Sequence, residues 1–393
     1  MARESQGRPS GCRIMMIPLG MAEPAQSALL GLDLQELTAL VHRHGQPEYR
    51  ARQLFDAIYP QRLTRLNAIS TIPRAFLTAL DAEGLDIHPP VIEKSFASVD
   101  GTIRYLMAMG DSETVETVWM PEGDGGEAGD GSDDLDTEVP AENAQDWRRA
   151  TICVSSQVGC AVNCRFCLTA LLGVKRNLTA GEIVGQITAV LSDRKVDLER
   201  QRVNIVFMGM GEPFLNYDNF MKAVRLLVEG VGFPESRMTV STSGIVPRVR
   251  DFGGEEIRPR LAISLNAPSD PLRERIMPIN KKWDLAQLMR AVRDFPLRNR
   301  EKVTFEYVLL SGVNDEPSHA RQVVELVRGI RCKVNLIALN PGPGIDFATP
   351  EQERVRDFQN ILVQAGIPAF VRRPRGRDIY AACGQLKRTV GDL

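Results

Sequence analysis

The amino-acid sequence predicts an α/β protein whose largest part is a partial (β/α)6 TIM-like barrel, preceded by a small helical domain and a short β-sheet. From residue 150 onward, six apolar, strand-like runs alternate with helix-like stretches, the rhythm of parallel βα units. Polar or glycine-rich motifs follow five of these runs and therefore share the rim on which such barrels place their active sites. The runs span residues 150–155, 203–208, 237–241, 261–265, 303–310 and 334–339.

Length and composition place the chain among intracellular enzymes of more than one domain. Its 393 residues suggest about two or three domains. The sequence holds no run of about 18 apolar residues and no signal-peptide pattern, so we expect a cytoplasmic protein with no membrane partner. Seven cysteines, three of them clustered, argue against a secreted disulfide framework and for a reducing compartment.

Shifts in composition divide the chain into six segments. A β-hairpin is predicted around a turn at Asp100-Gly101, between strands at 94–99 and 102–109, and a further strand covers 115–120. The predicted segments are a flexible tail (1–27), a helical N-terminal accessory domain (28–90), a hairpin and small-sheet extension (91–121), an acidic disordered insertion (122–147), the barrel (148–372) and a C-terminal segment (373–393).

The acidic insertion hides the charge of the rest of the protein. Residues 122–146 carry ten acidic residues and no basic one, so a formal net charge of -2 conceals a mildly basic remainder. So much Gly, Asp and Glu with so little apolar content predicts a disordered surface segment. A calcium site at Asp130, Asp133, Asp134 and Asp136 is the alternative, but the ligand spacing of an EF-hand is missing.

Arginines recur between the apolar positions of the predicted N-terminal helices. They are Arg50, Arg52, Arg62 and Arg65. A solvated helix face is the simpler interpretation. A phosphate-binding face is the functional one, because guanidinium groups suit phosphate and nucleic-acid contacts.

Two helix starts support the division of the barrel into βα units. Thr179 and Glu182 have the spacing of a capping box. Thr349 and Pro350 predict a cap and a first-turn proline for a later helix, which Gly366 would end.

Three cysteines, Cys160, Cys164 and Cys167, constrain the chemistry most tightly. They follow the first barrel strand in the pattern Cys-x-x-x-Cys-x-Phe-Cys. Three thiolates leave a tetrahedral metal, or one corner of an iron-sulfur cube, without a protein ligand, which indicates chemistry rather than scaffolding. A structural zinc site is the alternative. It would need a distant fourth ligand, and the four histidines, at 42, 44, 88 and 319, all lie far from the trio in sequence.

This spacing resembles the cluster loop of the radical S-adenosylmethionine (SAM) enzymes, in which three thiolates hold a [4Fe-4S] cluster and SAM chelates the remaining iron. Longer motifs resemble the RlmN family of radical SAM RNA methyltransferases, over roughly residues 30–390 apart from the acidic insertion. They are Cys-Val-Ser-Ser-Gln-Val-Gly-Cys at 153–160, Arg-Asn-Leu-Thr at 176–179, Phe-Met-Gly-Met-Gly-Glu-Pro at 207–213, Phe-Glu-Tyr-Val-Leu at 305–309, Val-Asn-Asp at 313–315 and Ala-Cys-Gly-Gln-Leu at 382–386.

The resemblance implies a mechanism that uses two SAM molecules per turnover. One SAM methylates Cys383; a second is cleaved at the cluster, and the resulting 5'-deoxyadenosyl radical activates that methyl group for addition to C2 of an adenosine. Glu116 would take the C2 proton, and Cys153 would attack Cys383 to release the product through a transient disulfide. Glu113 and Glu122 are competing carboxylates. Without the resemblance, the sequence around Cys153 would predict only a buried cysteine in a strand. The sequence around Cys383 is compatible with a mobile loop that carries this cysteine.

The resemblance also implies SAM-binding residues on the predicted rim. They are Gly211, Glu212, Ser243, Ser264, Leu265, Asn266 and Asn340. Glu212 would receive the SAM amino group, and Gly211 would allow the backbone to approach closely. The chain departs from the family at Asn266, where His is usual, so a titrating role there is in doubt. Leu168, Leu171 and Leu172 also differ from the smaller or more polar residues common after the third cysteine.

The expected partners are 23S rRNA, possibly tRNA, and an electron donor such as flavodoxin or ferredoxin; we expect a monomer. The target adenosine would be flipped into the active site. Three alternatives remain open: a methyltransferase of the related Cfr type acting on adenine C8, a radical SAM enzyme with a substrate other than RNA, and a non-catalytic zinc-containing RNA-binding protein.

Overall fold

A computed structural model describes residues 28–122, residue 147 and residues 149–386. Four predictions lie outside these residues: the tail with Cys12, the acidic insertion, its candidate calcium ligands, and the last seven residues of the C-terminal segment.

Three helices form the N-terminal unit, each with one apolar face buried. They are α1 (Leu34–Arg43), α2 (Tyr49–Ile58) and α3 (Arg74–Ala82). Asp33 and Glu36 close a capping box at the start of α1, which satisfies backbone amides that the helix leaves unpaired. The hydroxyl of Tyr59, at the end of α2, donates to the carbonyl of Leu32 at 2.8 Å. This bond ties α2 to the segment before α1.

In the described part of the chain, ten strands form one sheet in the order β1-β2-β3-β4-β7-β8-β9-β10-β11-β12. β1 (Val91–Ala97), β2 (Ile103–Ala108) and β3 (Thr114–Glu122) are antiparallel. We expected them to form a small-sheet extension that leads into the main domain. β3 pairs with the first barrel strand, so these strands extend the barrel sheet. A separate short pair, β5 (Gln157–Gly159) and β6 (Val174–Asn177), lies beside the rim.

Parallel strands make up the rest of the sheet and confirm the predicted barrel fold. They are β4 (Arg149–Cys153), β7 (Arg202–Phe207), β8 (Met238–Thr242), β9 (Arg260–Ser264), β10 (Val303–Leu309), β11 (Cys332–Ala338) and β12 (Ala369–Val371). Six follow the predicted runs closely. The seventh, β12, has three residues and was not predicted.

Helices cover the outer face of the parallel strands. They are α5 (Ala180–Asp193), α6 (Tyr217–Leu226), α7 (Val246–Gly253), α8 (Asp270–Ile276), α9 (Leu285–Arg293), α10 (Pro317–Val327) and α11 (Gln352–Gln364), and a short α4 (Leu168–Leu171) follows the clustered cysteines. Throughout residues 28–122 and 149–386, every helix is too short or too polar to cross a bilayer.

The two predicted helix starts differ in outcome. Thr179 and Glu182 form the expected capping box on α5. The prediction for α11 is wrong, because its cap residue is Glu351 and the helix begins at Gln352. The hydroxyl of Thr349 donates instead to the carbonyl of Leu339 at 2.9 Å, so this side chain closes the end of β11.

The two faces of the barrel sheet have different chemistry. On β10, Phe305, Tyr307 and Leu309 are fully buried, and Tyr307 packs on Phe358 of α11. Because strand side chains alternate between faces, Glu306 points to the opposite, inner side. There its carboxylate accepts from the hydroxyl of Ser241. The inner face is therefore polar where the strands end at the rim.

Candidate active site

The clustered cysteines lie in a loop that the β5–β6 pair presents at the rim. The amide of Cys160 donates to the carbonyl of Gly173 at 2.9 Å, and that of Cys167 donates to Cys164 at 3.1 Å. Gly159 has φ +83°, and a Cβ there would lie 1.8 Å from the Gly173 oxygen. Only glycine fits this position, which lets the chain turn sharply into the cysteine loop.

The three thiols are close enough to influence one another. Burial raises the pKa of Cys160 to about 12 and that of Cys164 well above its ordinary value, and in both cases the charges of the other loop thiols add to the effect. Within the described residues, no three His, Cys, Asp or Glu side chains converge on a point that would hold a single metal ion.

The loop after β7 places a carboxylate beside the cysteines. Glu212 is buried, and its carboxylate accepts from the amides of Ser243 at 2.7 Å and Phe214 at 3.0 Å. Burial raises the pKa of Glu212, and these hydrogen bonds oppose the shift. Gly211 has φ +98°, and a Cβ there would lie 2.6 Å from the Cβ of Gln157. Glycine is therefore required at position 211 by packing within the protein.

A directed chain of hydroxyl groups lies on the inner face. Ser241 donates to the Glu306 carboxylate at 2.8 Å, and the hydroxyls of Ser241 and Ser264 are 3.2 Å apart. The amide of Leu265 donates to the Glu306 carbonyl at 2.9 Å. Since Ser241 uses its proton on Glu306, Ser264 must donate to Ser241. The Ser264 oxygen is thereby left as an acceptor.

The C-terminal segment is anchored to the cysteine loop. The amide of Leu168 donates to the Gly384 carbonyl at 2.8 Å, the hydroxyl of Thr169 donates to Leu386 at 2.8 Å, and the side-chain amide of Gln385 donates to Pro341 at 2.9 Å. The interpretation of this segment as a mobile loop is therefore wrong. Hydrogen bonds hold the residues next to Cys383 on both the cysteine loop and the loop after β11.

Cys383 and Cys153 are close enough for the charge of one thiol to act on the other. Cys383 is exposed as a residue, but its sulfur lies among protein atoms, and this burial raises its pKa to about 11; the charge of Glu306 adds to this shift and Arg372 opposes it. Burial also raises the pKa of Cys153, and the charge of Cys383 raises it further. The two thiols, which are far apart in sequence, are thus electrostatic neighbours.

Arg273 was not among the predicted site residues, although the structure places it at the centre of the rim. It lies on α8, fully buried, and donates to the carbonyls of Ser243 and Ser264 at 2.7 and 3.0 Å. Burial lowers its pKa to about 10, an effect that the charge of Cys164 opposes. Its position three residues before the buried Ile276, on the apolar side of α8, was the available signal.

Comparison with known proteins decides the family. Residues 154–323 match the radical SAM superfamily. A relative from Koribacter versatilis, described as a probable dual-specificity RNA methyltransferase RlmN, is 62% identical over 89% of this chain and 98% of its own length. The chain belongs to the RlmN family.

Two further comparisons agree with membership of the RlmN family. The dual-specificity RNA methyltransferase RlmN of Rhodospirillum rubrum is 42% identical over 95% of this chain and 83% of its own. The crystal structure of a radical SAM methyltransferase from Sphaerobacter thermophilus superposes with a TM-score of 0.82, at 40% identity, over 92% of this chain and all of that one. This RlmN-family protein is therefore a radical SAM RNA methyltransferase, and the zinc-protein alternative is set aside.

RlmN-family membership implies a [4Fe-4S] cluster and SAM, and the residues present fit both groups. Cys160, Cys164 and Cys167, which lie in one loop and are close enough for their charges to act on one another, supply the soft thiolate ligands that an iron-sulfur cluster takes. Ser243 and Asn340 are buried at the ends of β8 and β11, on the same rim. The rim thus combines a three-thiolate loop with polar groups from its other loops.

Asn266, the residue that departs from the RlmN-family pattern, uses its side chain for contacts within the protein. Asn266 has φ +57°, a left-handed conformation that Asn tolerates well. Its side-chain oxygen accepts from the amide of Val308 at 2.8 Å, and its Nδ2 lies 3.1 Å from the sulfur of Met277. The side chain therefore braces β10 against the loop after β9.

Glu116, the carboxylate predicted as the base, lies in the interior of this RlmN-family protein. It is fully buried on β3 and paired with Arg104 of β2, which is also buried. The guanidinium of Arg104 stacks over Phe96 at 4.2 Å. Glu113 instead pairs with Lys175 at the surface, and the Glu122 side chain lies outside the described residues.

The buried pair gives a stability prediction. Replacing Arg104 with Met should lower the free energy of unfolding by about 3 kcal/mol or more, because it leaves the Glu116 carboxylate buried without that guanidinium. Urea unfolding would measure the change. Adding Glu116→Gln to Arg104→Met should recover most of the loss. A single-variant loss below about 1 kcal/mol would show that the pair carries little energy.

Proposed function

We propose that this enzyme methylates C2 of a specific adenosine in 23S rRNA, and of the adenosine next to the anticodon in tRNA, through a methyl group carried by Cys383. The observation that carries the proposal is the position of Cys383. Its segment is bonded to the cysteine loop beside Cys167, and its thiol is an electrostatic neighbour of Cys153. The proposed carrier therefore lies close both to the proposed cluster ligands and to a second thiol.

The roles of the rim residues follow from their chemistry. Cys160, Cys164 and Cys167 would hold the cluster, which supplies the electron that cleaves SAM to a carbon radical. Glu212 has the negative charge to receive the SAM ammonium group. Ser264 offers a hydroxyl oxygen as an acceptor, which suits a ribose hydroxyl of SAM.

SAM-binding groups would also come from three other loops. Gly211 and Ser243 flank Glu212 in space, and Leu265 and Asn266 contribute backbone held by the Glu306 carbonyl. Asn340 completes the surface from the end of β11. The protein's part is to orient these groups and to keep water from the reacting atoms.

The two catalytic thiols have successive tasks. Cys383, as a thiolate, takes the methyl group of the first SAM and releases S-adenosylhomocysteine. After a radical from the second SAM has taken one hydrogen atom from the Cys383 S-methyl group, that carbon would bond to C2, and C2 would lose its proton to Glu116 and the adduct one electron to the cluster. The RNA would then be linked to the enzyme through the Cys383 sulfur. Cys153 would attack that sulfur, so that a disulfide forms, the sulfur–carbon bond breaks, the released carbon takes a proton and the methylated RNA leaves. An external dithiol must reduce the disulfide before the next turnover.

Glu116 is the carboxylate best suited to take the proton from C2. It points to the same face of the sheet as Val118, which pairs with Cys153 across β3 and β4. Arg104 holds its position, whereas Glu113 is engaged with Lys175 at the surface. Because Glu116 is fully buried, the flipped adenine must enter the cleft to reach it.

The test of the proposal is the identity of the methylated carbon. Reconstituted enzyme, SAM and a strong reductant are incubated with protein-free 23S rRNA and, separately, with unmodified tRNA, and nucleosides are identified by mass spectrometry. We expect 2-methyladenosine in both RNAs. Finding 8-methyladenosine would assign the enzyme to the Cfr type, and methylation of rRNA alone would remove tRNA from the proposal.

Two exposed arginines are suited to RNA phosphates. Arg373 and Arg377 flank Gly376, whose amide donates to Asp100 of the hairpin turn at 3.0 Å, so their backbone is fixed. In the N-terminal unit, Arg52 pairs with Asp56 and Arg50 bonds Gln53. The C-terminal arginines are candidates because both are exposed and lie beside the backbone that the hairpin turn holds.

RNA affinity should therefore depend on salt. Two phosphate contacts predict a loss of roughly tenfold in affinity between about 50 and 200 mM salt, because counterions are released on binding. Replacing Arg373 and Arg377 with Gln should reduce the slope of log K against log salt by about 2. Filter binding measures both, with Arg328→Gln on the distant α10 side as the control. An unchanged slope would remove these arginines from the RNA-binding surface.

The cluster also needs an electron donor, and we propose a low-potential protein such as flavodoxin or ferredoxin. Leu171 and Leu172, directly after the third cluster cysteine, are exposed beside α4 and offer an apolar contact close to the cluster. Reduction by photoreduced flavodoxin, followed by 5'-deoxyadenosine formation, would test this partner.

A further inference from the structure

Arg273 binds only neutral oxygen atoms, although it is a fully buried cation. Its Nη2 donates to the carbonyls of Ser243 and Ser264 at 2.7 and 3.0 Å, and its Nε donates to the carbonyl of Leu265 at 3.0 Å. Its Nη1 donates to the side-chain oxygen of Asn280 at 2.9 Å. A single guanidinium thus joins the ends of β8 and β9.

Within the described residues, no carboxylate lies at ion-pair distance from Arg273. Asp270 is one step removed, because it accepts from the Nδ2 of Asn280 at 2.8 Å. The cysteine loop is attached to the same helix, because the amide of Arg165, next to Cys164, donates to the carbonyl of Ile276 on α8 at 3.0 Å. A buried cation with so little anionic contact is costly, so its retention here requires a compensating role.

We propose that Arg273 is a positioning residue that sets the geometry of the SAM site and supplies the buried positive charge beside the cluster. The inference rests on the proposed assignment of Ser243, Ser264 and Leu265 to SAM. All three carbonyls that Arg273 holds belong to these residues, which lie in two different loops. No single backbone hydrogen-bond pattern could fix both loops to one point.

The shape of the side chain explains why arginine occupies this position. A guanidinium presents five donors in a rigid plane, so it reaches several carbonyls at once. Ser243, one of the residues held, also donates its amide to the carboxylate of Glu212. An error in the position of Ser243 would therefore displace the group assigned to the SAM ammonium.

The charge acts on the cluster in a defined direction. Three thiolates give the cluster site a negative charge, and reduction adds one more electron. A fixed positive charge near Cys164 stabilises the reduced form and raises the reduction potential. Without Arg273, the potential should move to more negative values.

Two variants separate geometry from charge. Arg273→Lys keeps the charge and loses the planar fork, whereas Arg273→Gln loses both. The matched control is Arg258→Lys, because Arg258 is also buried but binds Glu301 and Pro296 ahead of β9, at the opposite end of the strand from the rim. Cluster-reconstituted proteins are titrated with S-adenosylhomocysteine by calorimetry. The cluster potential is measured by redox titration followed by electron paramagnetic resonance.

We expect both Arg273 variants to bind S-adenosylhomocysteine about tenfold more weakly or worse, the usual effect of losing charge-assisted hydrogen bonds. Only Arg273→Gln should lower the potential, and Arg258→Lys should change neither quantity. Parental affinity in Arg273→Lys would overturn the positioning role. An unshifted potential in Arg273→Gln would overturn the role of the charge.

Two further outcomes are distinguishable. If Arg273→Gln does not fold, Arg273→Met replaces it as the neutral variant; if neither folds, the affinity of Arg273→Lys decides the proposal alone. If the parent protein itself fails to bind S-adenosylhomocysteine, the proposed SAM site is wrong. If the parent protein and Arg273→Lys instead bind S-adenosylhomocysteine equally tightly, the proposed SAM site stands. In that case only the role of Arg273 is rejected.

Discussion

Replacing Cys383 with Ala should reduce RNA methylation to background while 5'-deoxyadenosine formation continues. The thiolate of Cys383 is the only atom proposed to carry the methyl group, and alanine offers no substitute. The cluster ligands and the SAM-binding residues are untouched by the change. Mass spectrometry of nucleosides measures the first product, and chromatography of the small molecules measures the second.

The matched control is Cys332→Ala. Cys332 is a buried cysteine at the amino end of β11, opposite the rim. We expect this variant to methylate RNA like the parent. Methyl transfer that survives Cys383→Ala would exclude the carrier mechanism. Loss of 5'-deoxyadenosine in the same variant would show that Cys383 also supports the cluster or SAM, since its neighbour Gly384 bonds Leu168.

Replacing Cys153 with Ala should trap RNA on the enzyme. Methylation of Cys383 and carbon–carbon bond formation would proceed, but the thiol needed to release the product would be missing. We expect no more than about one RNA per enzyme to react and the adduct to survive denaturing electrophoresis. In the parent protein, turnover should continue and no adduct should accumulate.

The double variant is the control for this prediction. Cys153→Ala combined with Cys383→Ala should form no adduct, because the carrier sulfur is absent. Repeated turnover by Cys153→Ala alone would assign product release to another thiol. Cys332 is a poor candidate, because it lies at the far end of its strand from Cys383.

Local patterns were enough to predict the barrel. The six strand runs depend on neighbours in sequence, and the structure places them as expected. The role of the three clustered cysteines as metal ligands stays a prediction. The pairing of β3 with β4 could not be predicted, because strand register across the acidic insertion depends on distant residues. The sequence therefore indicated a small-sheet extension without showing which strand joins it to the barrel.

The rest of the candidate site was predictable only in part, for physical reasons. Arg273 was missed because an arginine in a short helix is usually solvated, and three carbonyls from other loops make this one an exception. Gly211 was predicted as a position where the backbone approaches SAM closely. In the structure, a side chain at this position would collide with Gln157. The burial of Glu116 with Arg104 depends on the β2–β3 pairing, which sequence spacing alone does not fix.

The anchoring of the segment around Cys383 has a consequence for the order of events. Hydrogen bonds to Gly384, Gln385 and Leu386 hold this segment beside the cysteine loop and the loop after β11. On the proposed route, both SAM molecules therefore react at the same place. The S-adenosylhomocysteine left by the first must depart before the second SAM binds, so slow release of S-adenosylhomocysteine would inhibit turnover.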